Sequence, residues 1–145
     1  MKQFREIKPL TNYDIARLCK NTKNFRGVFM RDELGGKKIS RDECLVLNLD
    51  ISSGPGIHWM CLFTKNNVSF YFDSYGLAPP TEVVEYCKNK ARFFSQYPIQ
   101  QDDKQEILCG HYCVYLLQNL SNGCGVHEIL QELVRCGNVK EVFDK

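Results

Sequence analysis

From Ile57 to Phe72 the chain runs apolar, breaks once at Lys65-Asn66-Asn67, and runs apolar again. Two strands joined by a hairpin-like turn satisfy that pattern, Ile57 to Thr64 and Val68 to Phe72. Both faces of the first are largely apolar, which predicts a central strand. A further short apolar run, Glu43 to Leu49 with Cys44, Leu45, Val46, Leu47 and Leu49, reads as a third strand. Arg92 to Ile99 is aromatic and ambiguous, and fits an edge strand ending before Gln100.

Helical signals surround these strands. Thr11 or Asn12 caps a short helix through about Cys19, with Ile15 and Leu18 on its buried stripe. Pro79-Pro80-Thr81 introduces a helix from about Glu82 to Lys90, with acidic Glu82 and Glu85 near its positive end. The strongest helical signal is Cys109 to Leu120, where Cys109, Cys113, Leu116, Leu117 and Leu120 fall on one continuous face. Val126 to Cys136 predicts a last amphipathic helix, with Val126, Ile129, Leu130, Leu133 and Val134 inward and Gly137 as its cap. Ser52-Ser53-Gly54-Pro55-Gly56 is a loop. No repeat or linker divides residues 1–145, so one domain is expected. The fold class is α+β: a small mixed sheet packed against a central helix that begins at Cys109.

At 145 residues, 43% hydrophobic and 25% charged, the chain belongs with ordinary soluble globular domains. A net charge of +2 is too mild to argue for nucleic-acid binding and leaves room only for a weak electrostatic contact with DNA. Met1-Lys2-Gln3-Phe4-Arg5-Glu6 lacks the apolar stretch of a signal peptide, and nothing approaches membrane-spanning length. A monomer in a reducing compartment, without membrane association, is expected. The eight cysteines (19, 44, 61, 87, 109, 113, 124 and 136) are then free thiols, most of them inside apolar runs. No C-x-x-C pair exists, so neither a metal nor another cofactor is expected.

Three residues carry the chemistry. Cys109 opens the buried helix, where the helix terminus favours the thiolate that a nucleophile must become. Gly110 removes bulk beside the sulfur, and the unpaired N–H groups there suit an oxyanion. The competing reading is a buried helix-start cysteine followed by a cap-region glycine. His111 lies roughly 200° around the helix from Cys109, a poor place for its base, and Cys113 reads as core. His58 begins the central strand at the sheet's edge, partly open to a cleft. Asp73 ends the following strand, with Tyr71 on its face and Phe70 and Phe72 on the other. The hairpin sets His58 beside Asp73, close enough for the carboxylate to hold the imidazole tautomer. Asp73 alone reads as a turn residue with Ser74, Tyr75 and Gly76; beside His58 the two readings stand even.

Gly56-Ile57-His58-Trp59, Tyr71-Phe72-Asp73-Ser74-Tyr75-Gly76, a Gln-rich segment and Cys109-Gly110-His111-Tyr112-Cys113 together resemble the adenovirus maturation protease (adenain) group. The order His, acid, Gln, Cys is shared with SUMO-protease relatives and differs from papain, where Cys comes first. The likeness is strongest to proteases of polinton/maverick elements, adintoviruses and virophages, of which Asn24 to Leu34 also looks typical. The resemblance implies Cys109 as nucleophile, His58 as general base and acid, Asp73 as orienting acid and an upstream glutamine as oxyanion donor. Gln101 fits the family spacing with a one-residue insertion, while Gln100 needs a larger one and Gln105 sits closer to Cys109. The implied task is cleavage of viral capsid and other structural precursor polypeptides, in the virion and infected cell, at sites with small residues such as Gly. A protease of the same fold acting on ubiquitin-like modifiers and a non-catalytic binding domain are the rival readings.

Overall fold

A computed structural model describes residues 8–54, 56, 58–88, 91–94, 98–99 and 108–136. Its centre is a five-stranded mixed sheet in the order β1-β2-β3-β4-β5: β1 is Phe25–Met30, β2 Glu43–Asn48, β3 Trp59–Lys65, β4 Val68–Phe72 and β5 Ala91–Phe94. The pairs β1/β2 and β4/β5 are parallel, and β2/β3 and β3/β4 are antiparallel. The β3–β4 hairpin turns through Asn66 and Asn67, at φ 51° and 67°. Asparagine tolerates that left-handed backbone, and two such residues match the twist of the flanking strands.

Because side chains alternate across a strand, the apolar runs feed two cores. Cys44, Val46, Cys61, Phe70 and Phe72 face one core, and Leu45, Leu47, Met60, Leu62 and Tyr71 the other. Three helices cover the first face: α1 (Asn12–Leu18), α3 (Cys109–Ser121) and α4 (Val126–Cys136). Helix α2 (Thr81–Cys87) covers the second through Val83, Tyr86 and Cys87. Thr11 caps α1 in a reciprocal capping box with Asp14.

The structure corrects the sequence reading in several places. Phe25–Met30, given no secondary structure above, is the edge strand β1. Helix α2 stops at Cys87, where Lys88 turns into positive φ, rather than at Lys90. Val134 was expected inward but is 47% exposed, because Ile129 and Leu133 already fill the inner face of α4. Helix α3 is not buried along one stripe alone: His111, Tyr112, Val114 and Tyr115 are enclosed as well. It runs between the sheet and the other helices of that face, so even its polar positions are covered.

Candidate active site

The β2–β3 connection delivers His58 immediately before β3, the end of β4 delivers Asp73, and the first turn of α3 delivers Cys109. The β3–β4 register pairs Cys61 with Phe72, which leaves His58 and Asp73 together beyond the end of the ladder. His58 Nε2 lies 2.9 Å from Asp73 Oδ1. Both side chains are buried; His58 is 7% exposed, so it is less open than the sequence suggested. The ring also packs against Tyr75, with centroids 5.1 Å apart.

Asp73 makes both sets of contacts the sequence left open, to the imidazole and within the turn. Its Oδ1 accepts the Tyr75 N–H at 2.8 Å, and its carbonyl accepts the Gly76 N–H at 2.8 Å. The turn therefore fixes the same carboxylate that meets the imidazole. Gly76, at φ +77°, supplies the left-handed backbone that the turn requires.

Cys109 is 6% exposed and sits against the start of β3, where the Trp59 N–H points at its sulfur from 3.4 Å. His58 Nδ1 is buried and has no hydrogen-bond partner among the described residues, while Cys109 is near enough to act on the ring. Burial pulls the His58 pKa down, but the hydrogen bond to Asp73 first, and then the neighbouring Cys109 and the Asp73 charge, outweigh it and lift it from 6.5 to about 9. The ring therefore holds a proton more readily than a free imidazole does, with Asp73 on one side and Cys109 on the other.

The other core thiols have a different setting. Burial first, and then a hydrogen bond to Cys61, pushes the Cys113 thiol well above its ordinary range. Burial likewise raises Cys19 and Cys44 to about 12. These groups stay protonated and act as small apolar side chains.

Gly110 serves packing rather than access. A Cβ there would stand 3.1 Å from Trp59 Cδ1, 3.3 Å from Leu10 Cβ and 3.4 Å from Ile15 Cδ1, so the space beside it is filled. Trp59 is held in that space by its indole N–H, which donates to the Leu10 carbonyl at 3.0 Å. Sequence reading missed Trp59 as a donor to sulfur, because that contact depends on how α3 docks against β3. Gln101, with Gln100 and Gln105, lies outside the described residues. No group of three or more His, Cys, Asp or Glu suited to a metal occurs among the described residues, and no described helix is long and apolar enough to cross a membrane.

Comparisons with known proteins bear on this geometry. No family model matches the chain. A cysteine protease of African swine fever virus is 29% identical over 105 residues, covering 65% of this chain and 34% of the relative. The match thus spans about a third of that protein's length. The crystal structure of the same viral protease superposes with a TM-score of 0.64 at 16% identity, over 94% of this chain and 68% of its own. The SUMO protease Ulp1, solved with its catalytic cysteine oxidised to a sulfinic acid, superposes with a TM-score of 0.52 at 14% identity, over 97% and 80%. The fold is that of these cysteine proteases. The α+β class expected from the sequence, with a mixed sheet against a central helix, is the one observed.

Proposed function

We propose that this chain is a thiol endopeptidase of a DNA virus or virus-like element, of the adenain-like kind. In this reading it cleaves capsid and other structural precursor polypeptides beside small residues such as Gly, inside the virion and infected cell. The observation that carries the reading is the buried His58–Asp73 pair set against a Cys109 sulfur that already receives a backbone N–H. The sequence similarity to a viral cysteine protease supports it.

Cys109 loses its proton to His58, and its sulfur attacks the scissile carbonyl carbon. The oxyanion that forms is held by the Cys109 N–H and by Gln101. Collapse breaks the C–N bond, and His58 returns its proton to the leaving amine. Water then attacks the thioester, giving up a proton to His58, and releases a carboxylic acid and the free thiol. Asp73 keeps the imidazole oriented through Nε2, so that Nδ1 serves the sulfur. No step requires a cofactor.

A second reading, removal of a ubiquitin-like modifier, is favoured by one observation. The SUMO-protease domain solved in complex with the yeast ortholog of SUMO superposes over 99% of this chain, with a TM-score of 0.52. Parallel incubations separate the two: structural precursors from the same genome in one arm and a SUMO–reporter fusion in the other. New N-termini at small residues in the precursors, absent with Cys109→Ala and unaffected by EDTA, are expected. Cleavage of the fusion alone would assign the modifier reading. Cleavage of neither by folded protein would favour a binding domain.

A further inference from the structure

We propose that Asp50 is a positioning residue that latches the β2–β3 connection and so sets the place of His58. The inference rests on the reading of His58 as the base.

His58 follows a connection rich in small residues, which by itself would hold an imidazole loosely. The half-buried Asp50 carboxylate closes that connection from inside. Its Oδ1 accepts the Ile51 N–H at 2.8 Å, and its Oδ2 accepts the Gly56 N–H at 3.0 Å, two residues before His58. The room for the carboxylate exists because residue 54 has no side chain: a Cβ on Gly54 would fall 2.1 Å from Asp50 Oδ2 and 2.5 Å from its Cγ. Gly56, at φ +97°, turns the chain back so that its N–H reaches the acid.

The latch is anchored at both ends. Asp50 N–H donates to Asn48 Oδ1 at 2.9 Å, and the Leu49 N–H donates to the His58 carbonyl at 2.9 Å, tying the exit of β2 to His58 itself. From outside, Arg31 N–H donates to the Asp50 carbonyl at 3.0 Å. Asp32 accepts both the N–H and the hydroxyl of Ser52, each at 2.8 Å. The segment after β1, which has no part in the bond chemistry, thereby acquires a role: it buttresses the connection that carries the base. A displacement of about 1 Å in a catalytic group can cost on the order of 10²-fold in rate, which is the scale of effect a latch controls.

The test uses two readouts on the whole chain. The first needs no substrate: NMR titration of the His58 ring, which Asp73, Cys109 and Tyr75 surround. In Asp50→Ala the midpoint should fall by about half a pH unit or more as the pairing with Asp73 loosens. The second is turnover of a cleaved peptide, where kcat should drop roughly 10- to 100-fold with KM little changed. Gly54→Ala should reproduce both effects by evicting the carboxylate. The Asp50→Ala/Gly54→Ala double variant should be no worse than Asp50→Ala alone, and Asp50→Asn, which keeps one acceptor, should recover part of the loss. Losses that multiply in the double variant, or an unmoved His58 titration in folded Asp50→Ala, overturn the latch. Should Asp50→Ala fail to fold, Gly54→Ala decides by the same titration. Lack of peptidase activity in the wild type would sink the protease reading, while the titration would still decide the latch.

Discussion

Replacing Asp73 by Asn tests the electrostatics of the site, because it keeps the side chain's size and removes its charge. The carboxylate supplies the strongest of the influences that raise His58, its hydrogen bond, and part of the Coulombic attraction as well. The rise from 6.5 to about 9 corresponds to roughly 3 kcal/mol at about 1.4 kcal/mol per tenfold. Cys109 supplies the remainder, so loss of Asp73 should lower the His58 midpoint by at least about one pH unit, or ~1.4 kcal/mol. The sign follows from linkage. A base raised in the folded state contributes stability that is fully present below the unfolded value of 6.5 and is lost as pH rises through about 9. Asp73→Asn should therefore destabilise the protein more at pH 6 than at pH 10. Imidazole NMR, with His58 assigned by its disappearance in His58→Ala, reads the midpoint, and urea unfolding at the two pH values reads the stability. A His58 midpoint still near 9 in Asp73→Asn, or a stability loss that grows with pH, would refute the pairing as the source of the shift. Activity should fall further in His58→Ala than in Asp73→Asn, since an amide can still hold the ring.

Other expectations follow from packing and spacing. Gly110→Ala should destabilise by about 1–3 kcal/mol, measured by urea unfolding, since its Cβ meets Trp59, Leu10 and Ile15 at 3.1–3.4 Å. Cys113→Ala should lower stability by roughly 1 kcal/mol while leaving cleavage intact, since that thiol is fully enclosed in the core. Gln101→Ala should reduce turnover roughly 10²–10³-fold with little effect on Cys109 alkylation, the loss typical of one oxyanion donor; the same loss in Gln100→Ala instead would move the role by one position.

Much of this architecture was legible because its determinants are local. The Thr11 cap, the heptad-like apolar face of Cys109 to Leu120 and the Asn66-Asn67 turn each act over a few residues. The hairpin register alone was enough to bring His58 and Asp73 together. β1 was not legible, because Arg26 and Gly27 interrupt its apolar run and a bulge follows Phe25. It becomes a strand by pairing in parallel with β2, a contact between segments that no local pattern announces. The same limit applies to the Trp59 N–H on sulfur, which depends on how α3 docks against β3, and to the contacts of Arg31 and Asp32 with the β2–β3 connection. Gly110 shows the converse error: a glycine beside a nucleophile suggests open access, whereas this one makes room for Trp59.

The most direct test of the central claim follows the loss of peptide cleavage against modification of each thiol. Cys124 is exposed and should also react with iodoacetamide, so the site of modification must be mapped by peptide mass spectrometry. Cleavage should decline in proportion to carbamidomethylation of Cys109, whatever the state of Cys124, and should be absent in a folded Cys109→Ala variant. Cleavage that persists with Cys109 fully modified, or in Cys109→Ala, would show that the sulfur at the start of α3 is not the nucleophile.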